Sequence, residues 1–242
     1  MNEMQSIRID GSGKIGGGIY DEVRINGNAT VIDNFTCNLL RVSGMASLEG
    51  DVTSKETKIS GTAKQTGELV ANILDVSGTY KTIGGINADR VIVRGSLKAE
   101  GSMKANHVDV SGFVTVKQDI NSEVIETEGN ITCEGCINSE HFHLRLAGTS
   151  TIGEIGGSEI IVENRHLSVG NFISSFLPGK LRSNQLIVKE IEGDEIRLEN
   201  TTAEIVRGNN VKIGPNCKIG LIEYSGMLEI DEESVVDNKV QV

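Results

Sequence analysis

Tryptophan is absent from this 242-residue chain, and proline (2), tyrosine (3) and phenylalanine (5) are scarce. Aromatic rings supply much of the buried area of compact cores and the stacking platforms for bases and sugars. A core dominated by rings and an aromatic binding cleft are therefore both excluded. No apolar run approaches the ~20 residues of a membrane-spanning helix. The opening MNEMQSIRIDGSGKIG has neither the basic start nor the apolar stretch of a secretion signal, so a cytoplasmic location is expected. The four cysteines lack the spacing of a disulfide framework and suit a reducing compartment. Acidic residues outnumber basic ones, 34 to 23, for a net charge of −11. Phosphate contacts need clustered Lys and Arg, so nucleic acid is not an expected partner.

What the chain does have is glycine, 29 residues of it, at regular intervals. Segments of the form apolar-x-apolar-x-Gly recur as VRING, LRVSG, TKISG, LDVSG, VIVRG, VDVSG and IETEG. They end at glycines 27, 44, 61, 78, 95, 112 and 129, each 17 after the last, and IRIDG precedes them at Gly11. Numbered from these glycines, positions −4 and −2 are aliphatic (Leu74/Val76, Val91/Val93, Val108/Val110), as are +2 and +4 (Ala29/Val31, Leu97/Ala99, Val114/Val116). Position +8 reads Ile19, Phe35, Val52, Leu69, Ile86, Met103, Ile120 and Ile137, and +6 is often a second glycine.

Spacing by two places alternate side chains on one face of a strand. A unit this short cannot bury its own apolar face, but stacked on copies of itself at ~4.8 Å it encloses a continuous aliphatic core. The reading is all-β: a three-sided parallel β-solenoid with about 17 residues per coil. Helices would not give i, i+2 pairs bracketed by glycine, and the gaps between strands are too short for the crossovers of an α/β sheet.

Residues 1–164 are assigned to the main solenoid. Residues 165–184 break the pattern, and Val169, Phe172, Ile173, Phe176 and Leu177 share one helical face there, a candidate cap or partner contact. Residues 185–242 resume as a second short solenoid segment. Within it Ile196, Ile213 and Ile230 are 17 apart, as are Val211 and Leu228, Ile205 and Ile222, and Ile219 and Val236.

Stacked V-x-V-x-G coils such as LRVSG, LDVSG and VDVSG, with second glycines and an aliphatic interior, resemble the bactofilins over roughly Ile7 to Leu146. Gly193 to Gly226 is similar to the C-terminal part of longer members. The resemblance implies a right-handed β-helix that polymerises into filaments without nucleotide, with itself and with a paralogue as candidate partners. It also implies scaffolding of cell-envelope or motility proteins, with at most peripheral membrane association at the inner face.

The residues point the same way. A solenoid's first and last layers carry unpaired backbone groups and apolar rungs that must be capped or used. The expected polymerisation interface is the N-terminal coil, Ile7, Ile9, Ile15 and Ile19; a candidate second end interface is Leu228, Ile230, Val235 and Val236.

Catalytic chemistry is not expected, nor any cofactor. Cys133-x-x-Cys136 with His141 and His143 superficially offers four metal ligands, but Cys133 occupies an inward position and reads as a small hydrophobe. Cys37 and Cys217 read as structural, and His107 and His166 as loop residues. The sequence Ile213-Gly-Pro-Asn-Cys-Lys-Ile219-Gly resembles one rung of a hexapeptide-repeat acyltransferase, yet it occurs once and no His lies within 185–242. That enzyme and a non-polymerising β-solenoid binding module are the alternatives.

Overall fold

A computed structural model describes residues 4–164 and 184–242, and among them there are 22 strands and no helix. The strands form a parallel β-solenoid of about 13 coils with roughly 17 residues per turn. At ~4.8 Å per coil the stack is about 60 Å long.

Each regular coil holds an eight-residue strand and a four-residue strand, as in Ile86–Val93 and Ser96–Ala99. The long strand covers two sides of the triangle. Its ladder skips one residue at the corner: Ala88 pairs with Ala105 and Arg90 with His107, leaving Asp89 between them. Polar side chains cross that corner, with Asn72 Nδ2 donating to Asp89 Oδ2 (2.7 Å). The residue just before it, at +10, faces inward and is small: Cys37, Ser54, Ala71, Ala88, Ala105 and Ser139 are buried. Sequence reading had not identified this column, because Ser and Ala carry no hydrophobic signal.

The third corner is the glycine column. A Cβ on Gly78 would lie 2.0 Å from the carbonyl oxygen of Gly61, and the same collision repeats from Gly27 to Gly129. Two N–H groups per arc, Ser77 and Gly78 for example, donate to one carbonyl, that of Ile59 (2.9 Å each). Only a residue without a side chain allows this approach.

Inward positions −4, −2, +2, +4 and +8 are buried through the regular coils, in aliphatic columns that run the length of the stack. Polar residues interrupt them at a few rungs, among them the buried Ser54–Thr57 hydroxyl pair (2.8 Å) and a cluster around Tyr80. Tyr80 is fully buried and donates its hydroxyl to Gln65 Oε1 (2.5 Å); Gln65 Nε2 donates in turn to the carbonyls of Glu68 (2.7 Å) and Gly50 (3.2 Å). Ala63, paired with Tyr80 in the next coil, leaves room for the ring.

Three changes of coil length interrupt the regular register. The first coil is one residue shorter than those that follow, so Gly18 rather than Ile19 pairs with Phe35, and Ile19 points outward at 70% exposure. Two residues are added after Gly129, since Cys133 pairs with Ile152, while Phe142 and Leu144 keep the earlier phase by pairing with Ile125 and Thr127. In the C-terminal segment Ile196 pairs with Val211 and Ile205 with Leu221, so these coils are short by two residues and by one. Only the last coil restores the regular length, with Ile213 on Ile230 and Ile219 on Val236. His107 is a strand residue, not a loop residue.

Ile160 pairs with Ile196 and Thr149 with Gln185, so the coils on either side of 165–183 form one ladder. The helical-face residues Val169, Phe172, Ile173, Phe176 and Leu177, and His166, lie outside the described residues.

Two substitutions test this packing. Gly78→Ala forces a backbone carbonyl to move and is expected to cost at least about 3 kcal/mol. Thr127 carries a buried hydroxyl with no hydrogen-bond partner among the described residues, in an otherwise aliphatic column. Thr127→Val is expected to stabilise by roughly 1–2 kcal/mol, read from urea unfolding.

Candidate functional site

Among the described residues, the two end rungs leave strand edges paired on one side only. At the first coil, strands Gln5–Ile9 and Ser12–Ile15 pair on one side only among the described residues, with Gly18–Ile25 and Asn28–Ile32. Their aliphatic side chains Ile7, Ile9 and Ile15 are half-buried, whereas the equivalents one coil in, Val23, Ile25 and Val31, are fully buried. Ile19 does not join them. Tyr20, which sequence reasoning missed, stands over Gly18 instead: its hydroxyl donates to the carbonyl of Gly16 (2.9 Å), and its ring meets Phe35 edge-on at 6.5 Å.

At the other end, strands Leu228–Ile230 and Val235–Gln241 also pair on one side only, with Thr201–Ile213 and Lys218–Tyr224. Leu228, Ile230 and Val236 are half-buried, while Val235 (58%) and Val240 (46%) point into solvent. Val235 therefore belongs to an outward position. The column Ile191–Val206–Ile222 ends in Lys239, a charge at the tip of an aliphatic stack.

Outward positions also stack like upon like. Position −3 reads Arg8, Arg24, Arg41 and Lys58 through the first four coils, then Asp75, Ile92, Asp109 and Glu126 through the next four. Like charges one rung apart repel by roughly 1 kcal/mol even in water. Lateral carboxylates offset part of this: Arg8 pairs with Asp10 (2.9 Å), Arg24 with Glu22 (2.7 Å) and Lys58 with Glu56 (2.7 Å). Arg41 makes no such pair among the described residues, and its Nε is buried without a hydrogen bond.

The cysteine–histidine group is dispersed rather than convergent. Cys133 is buried and donates to the carbonyl of Gln118 (3.1 Å); Cys136 contacts Asn138 Oδ1 (3.4 Å). His141 faces Glu159 (3.1 Å) and His143 faces Glu163 (2.9 Å). Among the described residues no three His, Cys, Asp or Glu side chains are placed to hold a metal ion. Burial pushes the Cys133 thiol up to about 11 and that of Cys37 to about 12, and raises Cys136 and Cys217 as well. Thiols held protonated are poor nucleophiles and poor ligands.

A groove of about 940 Å³ is open and acidic, with Glu154, Glu190, Glu192 and Asp194 beside Asn138 and Arg207. Arg207 is bound by Glu190 and by Glu223 (2.5 Å). The lining includes no histidine, lysine or tyrosine; beside the carboxylates and Arg207 it holds the Cys136 thiol, which burial and the nearby Glu154 carboxylate push up. In the hexapeptide-like stretch, Pro215 and Asn216 form the turn between strands and Cys217 is buried, with Asn216 at φ 58°.

Among curated proteins, the chain is 42% identical over 93 residues to "Uncharacterized protein YhbF" of Bacillus subtilis (strain 168), covering 38% of this chain and 35% of that protein. It is 38% identical over 97 residues to "Uncharacterized protein YhbE" of the same organism, covering 40% and 38%. The match thus spans little more than a third of either relative. No family model and no solved structure matches the chain.

Thiol titration checks the cysteine geometry. In the native protein at neutral pH a disulfide reagent is expected to label Cys136 alone, and slowly. The other three should react only after unfolding.

Proposed function

We propose that this chain is a bactofilin-like, non-enzymatic scaffold whose solenoid stacks end to end into filaments without nucleotide, cofactor or metal. In this reading it acts in the cytoplasm, peripherally at the membrane, and organises cell-envelope or motility proteins.

The observation that carries the proposal is the pair of incomplete end rungs. Ile7, Ile9 and Ile15 at one end, and Leu228, Ile230 and Val236 at the other, keep apolar surface half in water beside strand edges that pair on one side only among the described residues. Burying such a rung against another gains about 25 cal/mol per Å² of apolar surface and continues the backbone ladder. The solenoid's length supplies a rigid spacer. A β-solenoid fold fits a structural role.

Negative-stain electron microscopy of the purified chain, with no nucleotide or metal, tests the reading. Filaments one solenoid wide are expected. Ile15→Glu should reduce the pelletable fraction at least about tenfold, since a carboxylate on the rung must be desolvated to stack. Far-UV circular dichroism should stay native, because Ile15 lies on the first coil. Filaments that survive both Ile9→Glu and Ile15→Glu would overturn the N-terminal interface. Discrete trimers would favour the acyltransferase alternative, and monomers the binding module.

A further inference from the structure

The outward −3 column changes sign at its midpoint, and this makes the face complementary to itself. Arg8, Arg24, Arg41 and Lys58 occupy four successive rungs, followed by Asp75, Ile92, Asp109 and Glu126 on the next four. We propose that two copies of this chain pair side by side and antiparallel along this face, about a two-fold axis lying between the Lys58 and Asp75 rungs.

An axis in the plane between two rods, perpendicular to both, reverses the order of rungs but keeps each column opposite itself. Lys58 then faces the partner's Asp75, Arg24 the partner's Asp109 and Arg8 the partner's Glu126. Symmetry doubles these to six ion pairs. Arg41 lies opposite the partner's Ile92, with the partner's Asp75 and Asp109 one rung to either side. These carboxylates, which also pair with Arg94 (2.8 Å) and Arg90 (3.7 Å) of their own chain, flank the one guanidinium in the ladder that has no carboxylate among the described residues of its own chain.

The neighbouring column at −5 agrees. It runs Glu22, Leu39, Glu56, Ile73, Arg90 and His107. The same operation sets Glu22 against the partner's His107, Leu39 against Arg90 and Glu56 against Ile73, so no like charges meet. A parallel pair in register would instead put arginine on arginine along the whole ladder. The rungs of this face keep the regular coil length all the way from Glu22 to Glu126, so the columns run without a break in register.

Eight rungs at ~4.8 Å by a strip ~13 Å wide bury about 500 Å² per copy, or ~1,000 Å² in total. That is the low end for specific association, so the pair is weak and held by charge. It does not depend on end-to-end stacking.

Sedimentation velocity at high micromolar protein tests it. The Ile15→Glu background is used so that lateral pairing is read apart from filament growth. The expected result is a dimer at low ionic strength that dissociates in about 0.5 M salt, where charges beyond a few ångströms are screened. Arg24→Glu and Asp109→Arg should each weaken the dimer at least about tenfold. The two together should restore it, since the swapped charges meet across the axis. All sites point outward, and native circular dichroism is the control. A monomer at low salt, a dimer indifferent to both single reversals, or a double reversal that fails to recover would overturn the proposal. So would monomers that bind phosphatidylglycerol-rich vesicles through Arg24 and Arg41. In the unmutated chain, filaments with no lateral partner would overturn side-by-side pairing while leaving end stacking intact.

Discussion

The regular coils of this molecule, from Gly27 to Gly129, are fixed by how closely one glycine approaches the glycine beneath it. At the tight arc the carbonyl oxygen of Gly61 occupies the place a Gly78 side chain would need, and two successive N–H groups converge on the carbonyl of Ile59. That approach fixes each coil relative to the last and lines up whole columns of side chains. Core columns then bury themselves rung upon rung, and polar corners such as Asn72 on Asp89 bond across coils instead of within them. Because register is shared by all three sides, a change in coil length shifts everything downstream of it at once.

Alignment of this kind favours uniform columns and penalises exceptions. Tyr80 is accommodated because Ala63 beneath it is small and Gln65 accepts its hydroxyl. Thr127 has no such arrangement and keeps an unsatisfied oxygen among aliphatic neighbours. Lys239 ends the Ile222 column where solvent is available to its ammonium group. The same alignment brings like charges together on the outside, which a single rod relieves only partly through lateral carboxylates.

Where the coil length stays constant, the fold was legible from the sequence: the glycines set the phase, and alternate aliphatic residues marked the inward positions. It became illegible where length changed without a change in character. Ile19 looked like an inward residue because it is apolar and stands eight positions after Gly11, but the first coil is one residue short and Gly18 takes the position. In the C-terminal coils Ile196, Ile213 and Ile230 keep the regular spacing, yet Ile196 is not stacked on Ile213; isoleucine and valine are common enough there that a false register looks as good as the true one. The +10 column and the Gln65–Tyr80 pair were missed for another reason, since small or polar residues gave no sign that they face inward. Of the end rungs, Ile7, Ile9, Ile15, Leu228, Ile230 and Val236 were recoverable from periodicity. The sign reversal along −3 needs the pairing of rungs to be seen.

A long row of nearly interchangeable coils carries an ambiguity of its own. Looping one of them out would leave its neighbours matched glycine to glycine and valine to valine, so local contacts alone distinguish poorly between correct and slipped alignments. The odd-length coils resolve this. The short turn at the start, the two added residues after Gly129 and the shortened turns beyond Gln185 occur in a unique order, like unequal teeth on a key. A displaced chain would misplace all of them together, so the irregular coils make the long regular stretch fold in only one alignment.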